Sequence, residues 1–158
     1  MNAADQARSL ELAQAIASVV TLVRGQFPAA RPNLTPWRDD PVTRAFDERE
    51  SLDLSFHFPG WSPRLQCRSL LLQLRLERAP LQGEAQAPGR RPRLLGVLIR
   101  GLTYDAERWR LATVGDWQPT GSHLPQPEVA AKLRQVCREL FDLFGAASSG
   151  EDEAEEAA

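Results

Sequence analysis

Apolar and polar residues alternate most cleanly between Gln66 and Arg78, in the run QCRSLLLQLRLER. Leu70, Leu72, Leu74 and Leu76 occupy every second position, with Ser69, Gln73, Arg75 and Glu77 between them and Leu71 the one exception. Successive side chains of a strand point to opposite faces, so this period of two predicts a strand with one apolar and one mostly polar face. Burying each leucine is worth roughly 1.5–3 kcal/mol, a large share of a small core, and something must cover that face.

A second alternating run precedes it. Leu52, Leu54, Phe56 and Phe58 interleave with Ser51, Asp53, Ser55 and His57, predicting a strand over 51–58. The segment Pro59-Gly60-Trp61-Ser62-Pro63 reads as the turn of a hairpin joining the two. The run RLLGVLIRGLTY, 93–104, is apolar on nearly both faces, as expected of a central strand. A turn at Asp105-Ala106 then leads into a fourth strand over 107–117.

The register of the third and fourth strands can be argued from their side chains. A two-residue turn sets Arg100 opposite Leu111, mixing charge with the apolar face. A three-residue turn groups Val97 and Ile99 with Leu111 and Trp109, and leaves Arg100, Arg108 and Arg110 together on the other face. The second register separates the two kinds and is the one expected. Gly101 is a candidate for a bulge that adjusts it.

Two stretches have helical rather than strand periodicity. Leu12, Ile16, Val19, Val23 and Phe27 recur every three or four residues, predicting a helix over 5–25 that Gly25 and Pro28 stop. Pro127 and Glu128 suit a helix start, and Val129, Leu133, Val136, Cys137, Leu140 and Phe144 form its stripe, with Gly145 as the expected C-cap. Between the first helix and first strand lie four prolines in PAARPNLTPWRDDP, with Trp37 as an anchor. Asp40-Pro41 suggests a short helix to about Phe46, and Asp39, Asp40, Glu48 and Glu50 read as cap and loop charges. PLQGEAQAPGRRP, 80–92, reads as a mobile loop, and 115–126 as a long connection.

The expected fold class is therefore α+β: a two-layer domain of N-terminal helix, four-stranded antiparallel meander sheet and C-terminal helix. It occupies 1–147, followed by a disordered acidic tail, 148–158.

Charge changes this picture little. The chain has 19 Lys and Arg against 21 Asp and Glu, for a net charge of -2. Five of the acids (Glu151, Asp152, Glu153, Glu155, Glu156) lie in the last eight residues, so the remainder holds 16 acids against 19 bases and is slightly basic. Lys132 is the one lysine; the other 18 bases are arginine. A GC-rich genome would produce this bias, and so would a surface built for bidentate carboxylate or phosphate contacts. The start carries Asp5 and Glu11 and lacks a basic region, and the apolar run 10–23 is too short to span a bilayer. The expectation is a cytoplasmic protein with no membrane partner.

Chemistry-bearing motifs are sparse. Cys67, Cys137, His57 and His123 form no CxxC, HxH or HExxH pattern, so neither a metal nor another cofactor is expected. Alternation sets Cys67 on the polar face and Cys137 in the helix stripe, which argues against a disulfide and gives Cys137 a structural role. Parity also permits a Cys67–His57 pair on the polar face, with no identifiable oxyanion hole.

What remains is the polar face of the sheet, with Ser55, His57, Ser69, Gln73, Arg75, Arg100, Arg108 and Arg110, apolar Leu71, Leu98 and Leu102 among them, and Trp61 and Trp117 at strand ends. If open, this face suits a protein partner with an acidic or amphipathic segment, or a second copy in a homodimer, because Arg and aromatics are enriched at interfaces. The expected function is a non-enzymatic interaction domain: an adaptor, assembly factor or small chaperone. The candidate partner-binding residues are His57, Gln73, Arg75, Arg100, Arg108, Arg110, Trp61 and Trp117. The alternatives are RNA binding on the same face, which the missing aromatic platform and negative net charge oppose, and a small-ligand or enzymatic pocket between sheet and helices. A merely solvated face with charges for solubility accounts for the same residues.

Overall fold

The computed structural model describes residues 1–37, 51–77, 92–104 and 106–157, with side chains up to residue 145. A one-turn helix α1 (Ala3–Gln6) precedes α2 (Leu10–Gln26). Six strands follow, β1 (Arg31–Asn33), β2 (Ser51–Ser62), β3 (Cys67–Leu76), β4 (Leu94–Leu102), β5 (Glu107–Ala112) and β6 (Thr120–Gly121), and then α3 (Pro127–Ala157). The fold is α+β, an antiparallel sheet with helices from both ends of the chain. The strands lie in chain order and every neighbouring pair is antiparallel.

The sheet thus has six strands rather than four. The additions are three and two residues long, at the two edges. Neither is long enough to show a period of two, and Pro32 is tolerated in β1 because an edge strand can leave one side unpaired. Ser9 caps α2 by accepting the Leu12 N–H at 3.1 Å, and the backbone between Gln6 and Ser9 separates α1 from it, so the expected single helix is two. Helix α3 continues past Gly145, which therefore does not end it. The expected helix near 40–46, the acidic residues 39, 40, 48 and 50, most of the 80–92 loop and Asp105 lie outside the described residues.

Cross-strand pairing arranges the sheet in rows. On one face, Phe56, Leu70, Gly101 and Trp109 form one row, Leu54, Leu72, Ile99 and Leu111 the next, and Leu52, Leu74 and Val97 a third. Ile16, Val19 and Val23 of α2 and Leu133, Val136 and Leu140 of α3 close over these rows in one core. The preferred register is the one found: Ile99 faces Leu111 and Arg100 faces Arg110. The pairing shifts between Gly101 and Leu102, at the glycine singled out for a bulge. A Cβ on Gly101 would stand 2.3 Å from the Trp109 ring, so the glycine lets the indole cross the strand. Trp109 Nε1 then donates to the Leu65 carbonyl at 2.6 Å, tying β5 to the β2–β3 turn. No helix among the described residues is long and apolar enough to cross a membrane.

Candidate functional site

The far face carries the rows Ser55, Leu71, Arg100, Arg110 and Asp53, Gln73, Leu98, Ala112. The middle of this face is closed off from solvent. Ser51, Asp53, Ser55, Leu71, Gln73 and Arg100 are all more than nine-tenths buried. A buried polar group is costly unless its hydrogen bonds are made, and here they are. Arg100 donates through Nε to Gln73 Oε1 at 3.1 Å and through Nη1 to Glu107 Oε1 at 2.9 Å. Arg110 binds the second carboxylate oxygen of Glu107 at 2.7 Å. Asp53 accepts from the Met1 amine at 2.9 Å, from the Ser51 hydroxyl at 2.5 Å and from the Trp37 indole N–H, so Trp37 is the anchor expected. Burial nonetheless pushes the Asp53 carboxyl above its usual range, against the pull of these donors. Gln73 and Arg100 are thus brought together inside the fold, and Arg110 joins them through Glu107 with its own side chain about half exposed. Arg75 sits at the exposed margin of the same face.

The remaining expected site residues separate. His57 is exposed, with Nδ1 2.8 Å from Ser69 Oγ and Nε2 3.3 Å from Ser55 Oγ. Cys67 does not join it. Between His57 and Ser62 the β2–β3 ladder shifts, with five residues of β2 spanning two of β3, so counting parity along β3 fails there. Cys67 turns into the core, fully buried, and burial pushes its thiol up to about 12. Cys137, also buried, is likewise held at about 12, and both cysteines are free. Trp117 does not frame the arginines either. It follows β5 at the other end of the sheet and stacks on Phe141 of α3, ring centroids 5.8 Å apart. Among the described residues no group of three or more His, Cys, Asp or Glu could hold a metal ion.

Another grouping emerges at one end of the sheet. The pairs Ser62–Cys67, Ser69–Leu102 and Leu102–Glu107 put the β2–β3 and β4–β5 turns side by side. Two arginine–aromatic pairs stand there. Arg108 lies over the Trp61 ring, Cζ 5.1 Å from its centroid. Arg68 lies over the Tyr104 ring at 4.6 Å and donates to the Tyr104 hydroxyl. Both rings face solvent, Trp61 42% and Tyr104 84% exposed.

Each partner is positioned by backbone. Arg108 is the extra residue where Gly101 pairs with Trp109 but Leu102 with Glu107. Its carbonyl accepts from the His123 N–H at 3.2 Å and the Ser122 hydroxyl at 3.3 Å. Gly121 permits this approach: its φ is +151° and a Cβ there would meet the Arg108 carbonyl oxygen at 2.3 Å. Arg64, in the β2–β3 turn, accepts the Gln126 N–H at 2.9 Å on its carbonyl and approaches Glu128 of α3 at 3.5 Å, both side chains well exposed. The start of α3 is therefore tied to this same end.

Among the described residues neither Arg68 nor Arg108 has a carboxylate partner. Among the described residues Arg108 Nε is buried and has no hydrogen-bond partner. Each guanidinium lies over a ring; Arg68 gives Nη1 to the Tyr104 hydroxyl and Arg108 has its Nε buried, so the remaining N–H donors of each are the ones left to take a carboxylate or phosphate. Of the expected site residues, Trp61 and Arg108 belong here; Arg64, Arg68 and Tyr104 were missed. The one sequence signal for Tyr104 was an aromatic next to a turn. Nothing local linked it to Arg68, 36 residues earlier.

No curated protein and no solved structure matches the chain. A family model does match it, over residues 4–146, and on that match the chain belongs to a family described as a domain of unknown function.

Proposed function

We propose that this protein is a non-enzymatic interaction domain, an adaptor, assembly factor or small chaperone, that docks an acidic protein segment on the arginine–aromatic end of its sheet. The observation carrying this reading is that Arg68 and Arg108 each stack on an exposed ring at the same sheet end without a carboxylate partner among the described residues. Trp, Tyr and Arg are the side chains enriched among those that dominate interface energetics, and the ring contacts here already limit the freedom of both arginines. The site moves from the sheet face to the sheet end because Arg100 and Gln73 are spent on internal bonds. The non-enzymatic part of the reading is supported by the state of the nucleophiles. Both thiols are buried and held at about 12, and both His57 nitrogens lie against serine hydroxyls.

The test is anisotropy of a short fluorescein-labelled peptide of alternating Glu and Leu, titrated with wild type and with R68E/R108E. The double variant is expected to bind at least about tenfold more weakly, a loss of about 1.4 kcal/mol, with a thermal midpoint lowered by no more than about 2–4 °C. Equal binding by both proteins would overturn the reading. A single-stranded RNA oligonucleotide that binds in place of the peptide, with a steep salt dependence, would replace it with the RNA alternative.

A further inference from the structure

We infer that the acidic segment docking on the arginine–aromatic end is the stretch 151–156 of a second copy of this chain, so that copies join head to tail. This rests on the docking reading above and names its occupant.

The charges are complementary. Arg68 and Arg108 stand at one end of the sheet, and Arg64, already near Glu128, belongs to the same end. The last eight residues, EDEAEEAA, carry five acids, and no Lys or Arg follows Arg138. The intervening residues are alanine, small enough to let a carboxylate reach the edge of a stacked guanidinium without steric conflict with the ring beside it. Isolated exposed ion pairs contribute little, but several acids against two arginines already held over rings share the ordering cost.

The length of α3 decides between the two possible sources of that segment. The helix begins beside the arginines, with Gln126 and Glu128 held to Arg64, and runs to Ala157. At 1.5 Å per residue Glu151 lies about 35 Å along the axis from Glu128. A chain's own acids are therefore carried away from its own arginine end, while the acids of another copy are free to approach it. Such a contact joins two different patches, so each copy keeps one free patch of each kind and the association can extend beyond a pair. A net charge of only -2 puts little long-range repulsion in its way. Because the contact is charged and exposed, it weakens as salt shortens the Debye length from about 30 Å at 0.01 M to about 3 Å at 1 M.

Three full-length proteins test this: wild type; R68E/R108E; and a tail variant carrying Glu151→Gln, Asp152→Asn, Glu153→Gln, Glu155→Gln and Glu156→Gln. Circular dichroism melts establish that both variants fold. In sedimentation velocity at low salt, wild type is expected to show a weight-average coefficient that rises with concentration and falls back at high salt. Each variant alone should remain monomeric. An equimolar mixture of the two should associate again and stop at pairs, since one supplies intact acids and the other intact arginines. A monomeric wild type at every concentration, or an associating wild type whose variants do not complement, overturns the inference. The Glu–Leu peptide separates this failure from failure of the docking reading. If the tail variant binds that peptide while wild type stays monomeric, only the occupant is wrong; if the peptide binds neither protein, both readings fall.

Discussion

At their centres the two faces of the sheet are buried to a similar degree by opposite means. On the helix side, Leu54, Leu72, Ile99 and Leu111 form a row that is at most 2% exposed and purely apolar. One row away on the other side, Asp53 and Gln73 are equally enclosed, with Arg100 beside them, and these make directed bonds to Ser51, Trp37, the Met1 amine and Glu107. The first face is stabilised in proportion to area and tolerates similar shapes. The second depends on completeness, since a donor or acceptor left unmatched in an enclosed site costs about 1–3 kcal/mol. Alternation along a strand therefore tells which side chains share a face, and nothing about whether that face meets water.

The sharpest way to break the comparison is to remove one member from each face. Leu74→Ala should cost about 2–5 kcal/mol in urea unfolding, the range for a buried leucine. Arg100→Ala should cost about 3 kcal/mol, because it removes the enclosed guanidinium that Gln73 Oε1 and one Glu107 oxygen both bind. A cost under about 0.5 kcal/mol for Arg100→Ala would mean that the far face behaves as ordinary surface.

Asp53→Asn sharpens the same point through pH. It should cost about 1–3 kcal/mol, since an amide N–H₂ replaces an acceptor surrounded by donors. Burial raises the folded Asp53 carboxyl above its ordinary 3.8, so the folded state binds the proton more tightly than the unfolded chain. Its contribution is then fully present below that ordinary value and is lost as pH rises through the folded one. The gap between wild type and Asp53→Asn should accordingly narrow from acid toward neutral pH in paired urea titrations. A gap that widens instead would mean that the ion pair with the Met1 amine outweighs desolvation.

The smallest stability effect belongs to the exposed end. R68E/R108E should change unfolding free energy by only about 1 kcal/mol, because each stack is an exposed cation–π contact of roughly 0.5–1 kcal/mol. The same pair of changes is the one expected to weaken docking at least about tenfold. Stability and binding are thus predicted to separate cleanly between Arg100 and Arg108, eight residues apart in sequence and, by alternation alone, on one face.

The main elements were legible in the sequence where a period persists long enough to count. Leu70 to Leu76 announces β3, Leu52 to Phe58 announces most of β2, and Ile16, Val19 and Val23 the buried side of α2. Even the β4–β5 register followed from separating Ile99 and Leu111 from Arg100 and Arg110. Strands of two and three residues carry no such signal, and β2 runs on through Pro59 and Gly60, which read as a turn, because its outer edge does not require their N–H groups.

What the chain's own pattern determined, then, is the order of elements and the membership of the apolar core, since both follow from local periodicity and the free energy of burying leucine. Only the tertiary structure decided which arginines remain available. Arg100 is taken by Gln73 and Glu107 across strands, and Cys67 is turned inward by a shift in the β2–β3 ladder. Arg68 meets Tyr104, and Arg108 meets Trp61, only because an antiparallel meander returns its turns to the same end. Hydrogen bonds and ring contacts between residues tens of positions apart depend on distance and angle in space, which no local period encodes.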